Sequence, residues 1–238
     1  MPGFIICGVI SDDTTVVKEA SVGGKRLSRE LIVDAAVRVA ARGEPDGLTG
    51  RALGEELGAD RSAVWRHFPD RDALLLAVGD RLLEMAAARV PAGLGPRERL
   101  QALARGVVDV YVAHPYVGTA VACRMTRGPG EFAVVEMMLT ALEEIGLRGE
   151  SVARHQRMLA EAVLSFAGTR AGYAVLPPHV RQGDQQAWAG AYATLPADRY
   201  PAIAAHLPHL AGQDEDEVLT GLLHALWLSV AAAVESGG

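Results

Sequence analysis

The chain has 238 residues, half of them apolar, which is enough for one or two compact domains. Aromatic residues make up only 5%, and the sequence lacks the alternating β-branched runs of a sheet, so the composition favours an all-α fold. The net charge of −6 argues against indiscriminate binding to polyanions. Two cysteines provide neither a disulfide framework nor a four-thiolate metal site, and we therefore expect a protein of the reducing cytoplasm.

The amino-terminal part of the chain carries an apolar run at residues 4–10. This run lacks a basic leader and is too short to cross a bilayer. We interpret residues 1–24 as a flexible extension, although a segment that docks on the body or on a partner chain is an alternative. Residues 25–72 hold nine basic and nine acidic side chains, so the whole negative excess lies elsewhere. A nucleic acid would dock on this relatively basic segment.

The segment from Ser28 onward predicts a helix-turn-helix. Ser28 and Thr49 are N-cap candidates for two helices with one apolar face each, and Gly58 suits the left-handed residue that ends the second helix. Asp60 caps a third helix, which we expect to end at His67, and Asp70 caps a fourth helix that follows at once. Two short helices joined by a glycine turn and braced by a first helix form this motif.

The third predicted helix has one buried and one exposed side. Val64 and Phe68 are four residues apart and pack the helix onto its neighbours, which leaves Arg61, Ser62 and Arg66 outside. An arginine guanidinium matches the N7 and O6 acceptors of guanine. The alternative is an ordinary helical hairpin with solvated arginines.

The rest of the chain predicts a larger helical body. We divide the protein into a helix-turn-helix domain at residues 25–76 and a second domain at residues 77–238. The second domain is expected to contain helices at residues 96–113, 116–125, 129–146, 151–175 and 214–234, with a loop and short helices at residues 179–212.

The stretch "RLSRELIVDAAVRVA…LTGRALGEELGADRSAVWRHFPDRDALLLAV" resembles the DNA-binding domain of TetR-family transcriptional repressors. The likeness covers residues 26–78 and includes the Leu-Thr before the second helix, the Leu-Gly turn and the aromatic-Arg-His-Phe end of the third helix. The second domain is similar to the Tet-type ligand domain at His114-Pro115-Tyr116, at Gly128-Pro129 and at Leu142 ahead of Gly146-Leu147.

The resemblance implies an all-helical homodimer that binds a palindromic operator and leaves it when a small ligand enters the second domain. Trp65 stands where many members carry tyrosine, and Arg71 replaces a lysine that often contacts phosphate. The metal-chelating histidines of tetracycline repressors are not evident, and His206 and His209 have no third ligand nearby. We therefore expect no metal, no cofactor and a ligand that cannot be inherited from the family name.

The expected DNA contacts combine the exposed arginines with positions that, by resemblance, hold phosphates. Lys25 and Arg26 reach the backbone or minor groove, or else form a solvated basic tail. The expected DNA-binding residues are Lys25, Arg26, Thr49, Arg51, Arg61, Ser62, Ala63, Trp65, Arg66, His67 and Arg71.

Two further sets of residues are expected in the second domain. Aromatic, methionine and inward polar residues are candidates for an effector pocket: Tyr111, His114, Met125, Phe132, Met137, His155, Met158, Phe166, Arg170 and Tyr173. Two helices that are apolar nearly all round are candidates for a four-helix dimer interface: Ala160, Val163, Leu164, Ala167, Leu219, Leu222, Leu223, Leu226, Trp227 and Val230.

The sequence thus predicts a ligand-released repressor whose partners are double-stranded operator DNA, a second copy and a small apolar or aromatic effector, with no membrane. A regulator of the same DNA-binding type that answers to a protein partner, or to nothing, is the alternative. No nucleophile with a base and no phosphate loop is evident, so we do not expect an enzyme. A helical enzyme with a DNA-binding appendage would need convergent titratable groups in its cavity.

Overall fold

The computed structural model describes residues 27–44, 48–210, 212 and 214–237. That part of the chain is helical and contains no strand, which confirms the predicted all-α class. The extension at residues 1–24, Lys25 and Arg26 lie outside the described residues. The helices are α1 (Arg29–Ala40), α2 (Gly50–Leu57), α3 (Arg61–Val64), α4 (Arg71–Ala88), α5 (Pro96–Ala113), α6 (Pro115–Val121), α7 (Pro129–Ile145), α8 (Glu150–Ala174), α9 (Pro178–Ala189), α10 (Pro201–Leu210) and α11 (Glu215–Glu235).

The predicted helix starts of the amino-terminal unit are confirmed. The hydroxyls of Ser28 and Thr49 each accept a hydrogen bond of 3.2 Å from an amide in the first turn of α1 and α2. The carboxylates of Asp60 and Asp70 accept bonds of 2.7 Å in α3 and α4. Gly58 ends α2 in the left-handed conformation with φ of 61°. Local side chain-to-backbone bonds therefore set where these helices begin.

Helix α3 is shorter than predicted, because it ends at Val64 instead of His67. The amides of Arg66 and His67 bond to carbonyls only three residues back, so the chain tightens into a turn. Pro69 follows Phe68 and disfavours the helical conformation at that residue. The helix before Met125 also ends early, at Val121.

Helices α1 to α4 share one small core. Ile32, Leu53, Val64, Phe68 and Leu74 are fully buried there or nearly so. Their burial holds the short helix α3 in place, since four residues could not form a stable helix alone.

Surface contacts connect α1 and the residues after it to Phe68 and to α2. The guanidinium of Arg29 lies 4.4 Å from the centre of the Phe68 ring, and Arg38 and Arg42 both pair with Glu56 of α2.

Helix α4 joins the two predicted domains without a linker. It runs through the expected boundary at residues 76–77 and contacts α1 as well as α5, α6 and α7, with Leu74, Val78 and Leu82 buried along its length. The division into two domains thus falls inside one continuous helix.

The larger body is built around α5 and α8, which make its most extensive contact, with α6 and α7 beside them. Helix α11 packs on α8 through Leu219, Leu223, Trp227 and Val230. The segment expected to be a loop with short helices contains α9, a 3₁₀ turn (Tyr192–Thr194) and α10. Most residues of this segment are exposed.

Of the described helices, α11 alone has the length and mean hydropathy, 1.6, of a membrane-spanning segment. Its buried face packs on α8, and the Nε2 atom of His155 lies 3.2 Å from the Ser229 hydroxyl, within hydrogen-bond distance. Only 22% of the apolar window of this helix is buried within the described structure.

A buried carboxylate fixes the start of α7 against α4. Asp80 of α4 accepts hydrogen bonds from the amides of Gly130 (3.0 Å) and Glu131 (2.9 Å) and lies 2.8 Å from the Thr126 hydroxyl. Gly130 must lack a side chain, since a Cβ there would overlap the Asp80 carbonyl. Asp80 thus caps α7 from a different helix, where the helix dipole favours negative charge.

We predict that Asp80→Ala lowers the free energy of unfolding by about 2–3 kcal/mol, because it leaves the first amides of α7 buried without an acceptor. Denaturant unfolding followed by circular dichroism measures the change. Asp109→Ala, at an exposed position of α5, is the control and should change stability by less than about 0.5 kcal/mol. Equal stability of the two variants would contradict the role given to Asp80.

Candidate functional site

The outer surface of α3 and its flanks is basic. Arg61, Arg66 and Arg71 are exposed, and no described carboxylate forms an ion pair with them. Asp60 lies beside them, and hydrogen bonds from the Ser62 hydroxyl and amide, together with Arg61 and Arg66, lower the pKa of its carboxyl. The three arginines are therefore free to meet phosphates or bases.

The turn between α2 and α3 depends on two close approaches. A Cβ on Gly54 would lie 2.8 Å from the carbonyl oxygen of Ala59, so glycine is needed for the helices to meet. A Cβ on Gly50 would lie 2.7 Å from the indole nitrogen of Trp65, which places the ring against the start of α2. Trp65 is 36% exposed, so part of the indole remains at the surface.

The other described residues of the predicted DNA-contact set differ in exposure. Ser62 is exposed, whereas Thr49, Ala63 and His67 are partly buried. Arg51 is exposed and bonds to Glu55 at 3.0 Å, one turn along α2. The structure places Trp65 beside Gly50, the residue between Thr49 and Arg51, whereas Arg71 lines a pocket with Ala40 and Glu44.

The larger body contains a cavity of about 460 Å³ between α5, α7 and α8. Its walls are mostly aliphatic, with Leu100, Leu103, Val107, Val134 and Leu159 among them. This volume admits a molecule of several fused rings, and a mostly apolar lining with a few polar groups is typical of small-molecule sites.

Only part of the predicted pocket set lines this cavity. Tyr111 and Met125 do, whereas His114 is buried at the start of α6 and donates from Nδ1 to the Val110 carbonyl at 2.8 Å. Phe132 is 61% exposed, and His155 bonds within the contact between α8 and α11. The remaining predicted residues lie outside the cavity lining: Met137, Met158, Phe166, Arg170 and Tyr173.

Arg170 and Tyr173 form contacts outside the cavity. Arg170 pairs with Glu215 at the start of α11 and stacks on the ring of Tyr173. The Tyr173 hydroxyl donates to the Arg181 carbonyl at 3.1 Å. Helical spacing could reveal the contact of Arg170 with Tyr173, but not Glu215, which is distant in sequence, nor Arg181, which follows the end of α8.

The cavity also includes residues that the sequence analysis placed elsewhere or missed. Ala160, Val163 and Leu164, expected at a dimer interface, line it from α8. Arg124, before α7, and Glu131, in the first turn of α7, line it as well. The sequence did offer one signal for Glu131, because it lies three residues after Gly128 at a predicted helix start. The first amides of a helix need hydrogen-bond acceptors, which a carboxylate at this position can supply.

The turn that lines the cavity is bonded to α4 at two points. Arg124 donates two hydrogen bonds of 2.8 Å to the carboxylate of Asp72, in the first turn of α4. The guanidinium holds the pKa of the Asp72 carboxyl below its usual value. Two turns further along, Asp80 holds the amides of Gly130 and Glu131. A cavity wall and the helix that braces the helix-turn-helix are thus linked by carboxylates.

Comparison with known proteins places both halves of the chain. A family model for bacterial regulatory proteins of the tetR family matches residues 32–78. A model for the tetracyclin repressor-like C-terminal domain matches residues 93–225, more than half of the chain. The chain belongs to the TetR family. It is a DNA-binding transcriptional regulator.

Individual relatives agree with this assignment. The HTH-type transcriptional repressor DrrR1 of Streptomyces coeruleorubidus is 26% identical over 207 residues, which cover 84% of this chain and 76% of the relative. The nicotine-responsive repressor HdnoR of Paenarthrobacter nicotinovorans is 29% identical over 85 residues, 36% of this chain and 44% of that protein.

Solved structures share the architecture of this TetR-family regulator. The TetR regulator SCO7222 of Streptomyces coelicolor superposes with a TM-score of 0.73 at 26% identity over 87% of this chain and 99% of that chain. ActR from the same organism, bound to actinorhodin, gives 0.74 at 21% identity over 88% and 99%. The latter likeness concerns the fold alone.

The predicted dimer residues of this TetR-family chain mostly face inward within one copy. Val163, Ala167, Leu219, Leu223, Trp227 and Val230 are buried, and Ala160, Leu164, Leu222 and Leu226 are partly buried. On its opposite side α11 exposes the apolar or small residues Val218, Gly221, Ala225, Leu228 and Ala232. The polar residues Thr220 and His224 of α11 are exposed as well.

Proposed function

We propose that this regulator is a repressor that binds a palindromic operator as a homodimer and leaves it when a small, mostly apolar effector enters the cavity. The bonded path from the cavity wall to α4 carries the proposal. DNA and effector each favour a different arrangement of α4, so each lowers the affinity for the other. A purified protein and a random pool of duplexes provide the first test, by selection of the bound sequences.

The DNA half of the proposal assigns different tasks to the exposed arginines. Arg61 and Arg66 lie on the exposed surface of α3 and its following turn, where a recognition helix meets the major groove. Arg71 follows the N-cap Asp70 at the start of α4 and contacts phosphate. Thr49, Arg51, Trp65 and His67 position the unit on the backbone, Ser62 and Ala63 meet the groove, and Lys25 and Arg26 extend the contact.

We predict that Arg66→Ala or Arg61→Ala costs about 1–3 kcal/mol on the selected operator and relaxes preference at one base position, because a guanidinium contact to a base edge is lost. Arg71→Ala should weaken all duplexes alike and reduce the salt slope by about one. Fluorescence anisotropy at several salt concentrations separates the two effects.

The control for these variants is Arg89→Ala, an exposed arginine that follows the opposite end of α4. It should bind the operator as the unchanged protein does. Uniform loss across all duplexes for Arg66→Ala and Arg61→Ala would contradict base reading and leave only phosphate contacts.

The effector half of the proposal rests on the cavity and on the ligands of two similar proteins. ActR is known in complex with actinorhodin, and HdnoR is a nicotine-responsive repressor. The cavity of about 460 Å³ in this chain has room for a small organic ligand. To release the operator a hundredfold, such a ligand must favour the released arrangement by about 2.7 kcal/mol.

We predict that Ala160→Trp abolishes release of the operator by compounds found in a thermal-shift screen, because the indole occupies the cavity, while operator affinity is retained. Ala153→Trp, at an exposed position of the same helix, is the control and should respond as the unchanged protein does. Compounds that bind tightly and leave the DNA complex intact would contradict effector release. The regulator would then answer to a protein partner or to nothing.

The dimer half rests on the exposed side of α11. Leu228 is 60% exposed and Val218 is 46% exposed, and they share this side with Gly221, Ala225 and Ala232, which lets a second helix approach closely. A second copy presents the same surface, so two copies of α11 with α8 behind them form a four-helix contact. The opposite side of α11 is already covered by α8, which is unsuited to a helix surrounded by lipid.

We predict that Leu228→Glu converts the dimer into a monomer at micromolar concentration, since burying an unpaired carboxylate in the contact is unfavourable. Light scattering measures the mass, and circular dichroism checks that the helices are retained. Ala133→Glu, exposed on α7, is the control and should remain dimeric. A dimeric Leu228→Glu variant would contradict this interface.

A further inference from the structure

The cavity wall contains an acidic group that the structure leaves without a counter-ion. Oε2 of Glu131 accepts hydrogen bonds from the amides of Thr126 (2.5 Å) and Arg127 (2.9 Å) and lies 2.9 Å from the Thr126 hydroxyl. No bond reaches its Oε1 atom from a described residue. Among the described residues Glu131 forms no ion pair.

A second carboxylate reinforces the negative charge at this wall. The Thr126 hydroxyl lies between Oδ1 of Asp80, at 2.8 Å, and Oε2 of Glu131, at 2.9 Å. A hydroxyl has one hydrogen, so it serves only one of these acceptors at a time. Asp80 has no ion-pair partner in the described part of the chain either.

The other charges of the cavity lining cancel. Arg124 is bonded through two nitrogens to Asp72, and Arg157 is paired with Glu161 one turn along α8. Neither guanidinium is therefore left to attract an anion. The uncompensated charge at the cavity is that of Glu131.

A neutral hydrogen-bonding group faces the same space. Tyr111 lines the cavity and is 1% exposed, and its hydroxyl has no hydrogen-bond partner among the described residues. Burial and the nearby carboxylate of Glu131 raise the pKa of the Tyr111 phenol, so it stays un-ionised. A phenol oxygen and a carboxylate oxygen both accept hydrogen bonds from an N–H group.

From this lining we propose that the effector is an aromatic or polycyclic amine that binds as a cation, with its N–H donors directed to Glu131 and Tyr111 and its rings among the aliphatic walls. This deepens the proposed function, since it takes the cavity as the effector site. An amine neutralises Glu131, whereas an anion of the same shape faces an unpaired carboxylate. The charge at the cavity wall selects the ligand class.

Three probes with the same three-ring frame test the charge preference: 9-aminoacridine as the cation, acridone as the neutral form and acridine-9-carboxylate as the anion. Fluorescence titration of the full-length protein without DNA gives each affinity. We expect the cation to bind about tenfold more tightly than acridone, and the anion to bind weakest, since charge-assisted hydrogen bonds are about twice as strong as neutral ones. Equal affinities, or tighter binding of acridone or the anion, would overturn the inference.

Glu131→Gln tests the residue. It removes the charge and keeps the shape, so the affinities for the cation and acridone should converge. The matched control is Glu136→Gln, which removes the same charge from an exposed position of the same helix outside the cavity lining, and it should retain the preference. An unchanged preference in Glu131→Gln, with both variants folded by thermal unfolding, would overturn the assignment.

Tyr111→Phe gives a second measurement that leaves the acidic turn intact. It should weaken binding of 9-aminoacridine severalfold and preserve the order of the three probes, and a reversed order would count against the inference. Different results would contradict the amine class and the proposed function. A neutral or anionic compound that releases the operator would overturn the amine class and leave effector-released repression standing, whereas operator binding that no compound reverses would overturn the latter.

Discussion

The buried carboxylate of Asp80 is the interaction on which the arrangement of this regulator depends. It lies in the middle of α4 and supplies the acceptor that the first amides of α7 lack, so two helices are held by one side chain. A buried charge is tolerated here because backbone N–H groups and a helix dipole surround it. Gly130 allows α7 to approach α4 closely. Helix α4 thereby joins the larger body to the helix-turn-helix unit.

The same linkage gives a physical route between the two functional regions. The turn held by Asp80 and by the Asp72–Arg124 pair forms one wall of the cavity, while the amino-terminal end of α4 packs against α1. A ligand that displaces this wall must strain or break bonds to α4. In the proposed function, ligand and DNA are therefore coupled without direct contact, through the helix α4 that both regions share.

The helix starts of the helix-turn-helix unit could be predicted from the sequence, because local interactions set them. The N-caps Ser28, Thr49, Asp60 and Asp70 act on amides two or three residues away, so their effect can be predicted from the chain itself. The exposed arginines around α3 were predictable for the same reason, because a four-residue spacing places Val64 and Phe68 inside. The early end of α3 was missed, since the tight turn before Pro69 competes with continued helical spacing.

The cavity and the free side of α11 were decided by tertiary structure. Helical periodicity showed that α8 and α11 are apolar on more than one side, but it could not tell which side meets α5, the cavity or a second copy. Val163 and Leu164, which we expected at the dimer interface, line the cavity instead. Leu228 is exposed on α11. Glu131 acquired its significance only when Asp80 and Tyr111, distant in sequence, were packed beside it. The sequence determines the helices and their caps because these depend on contacts between residues close in the chain. The cavity depends on how whole helices pack against one another.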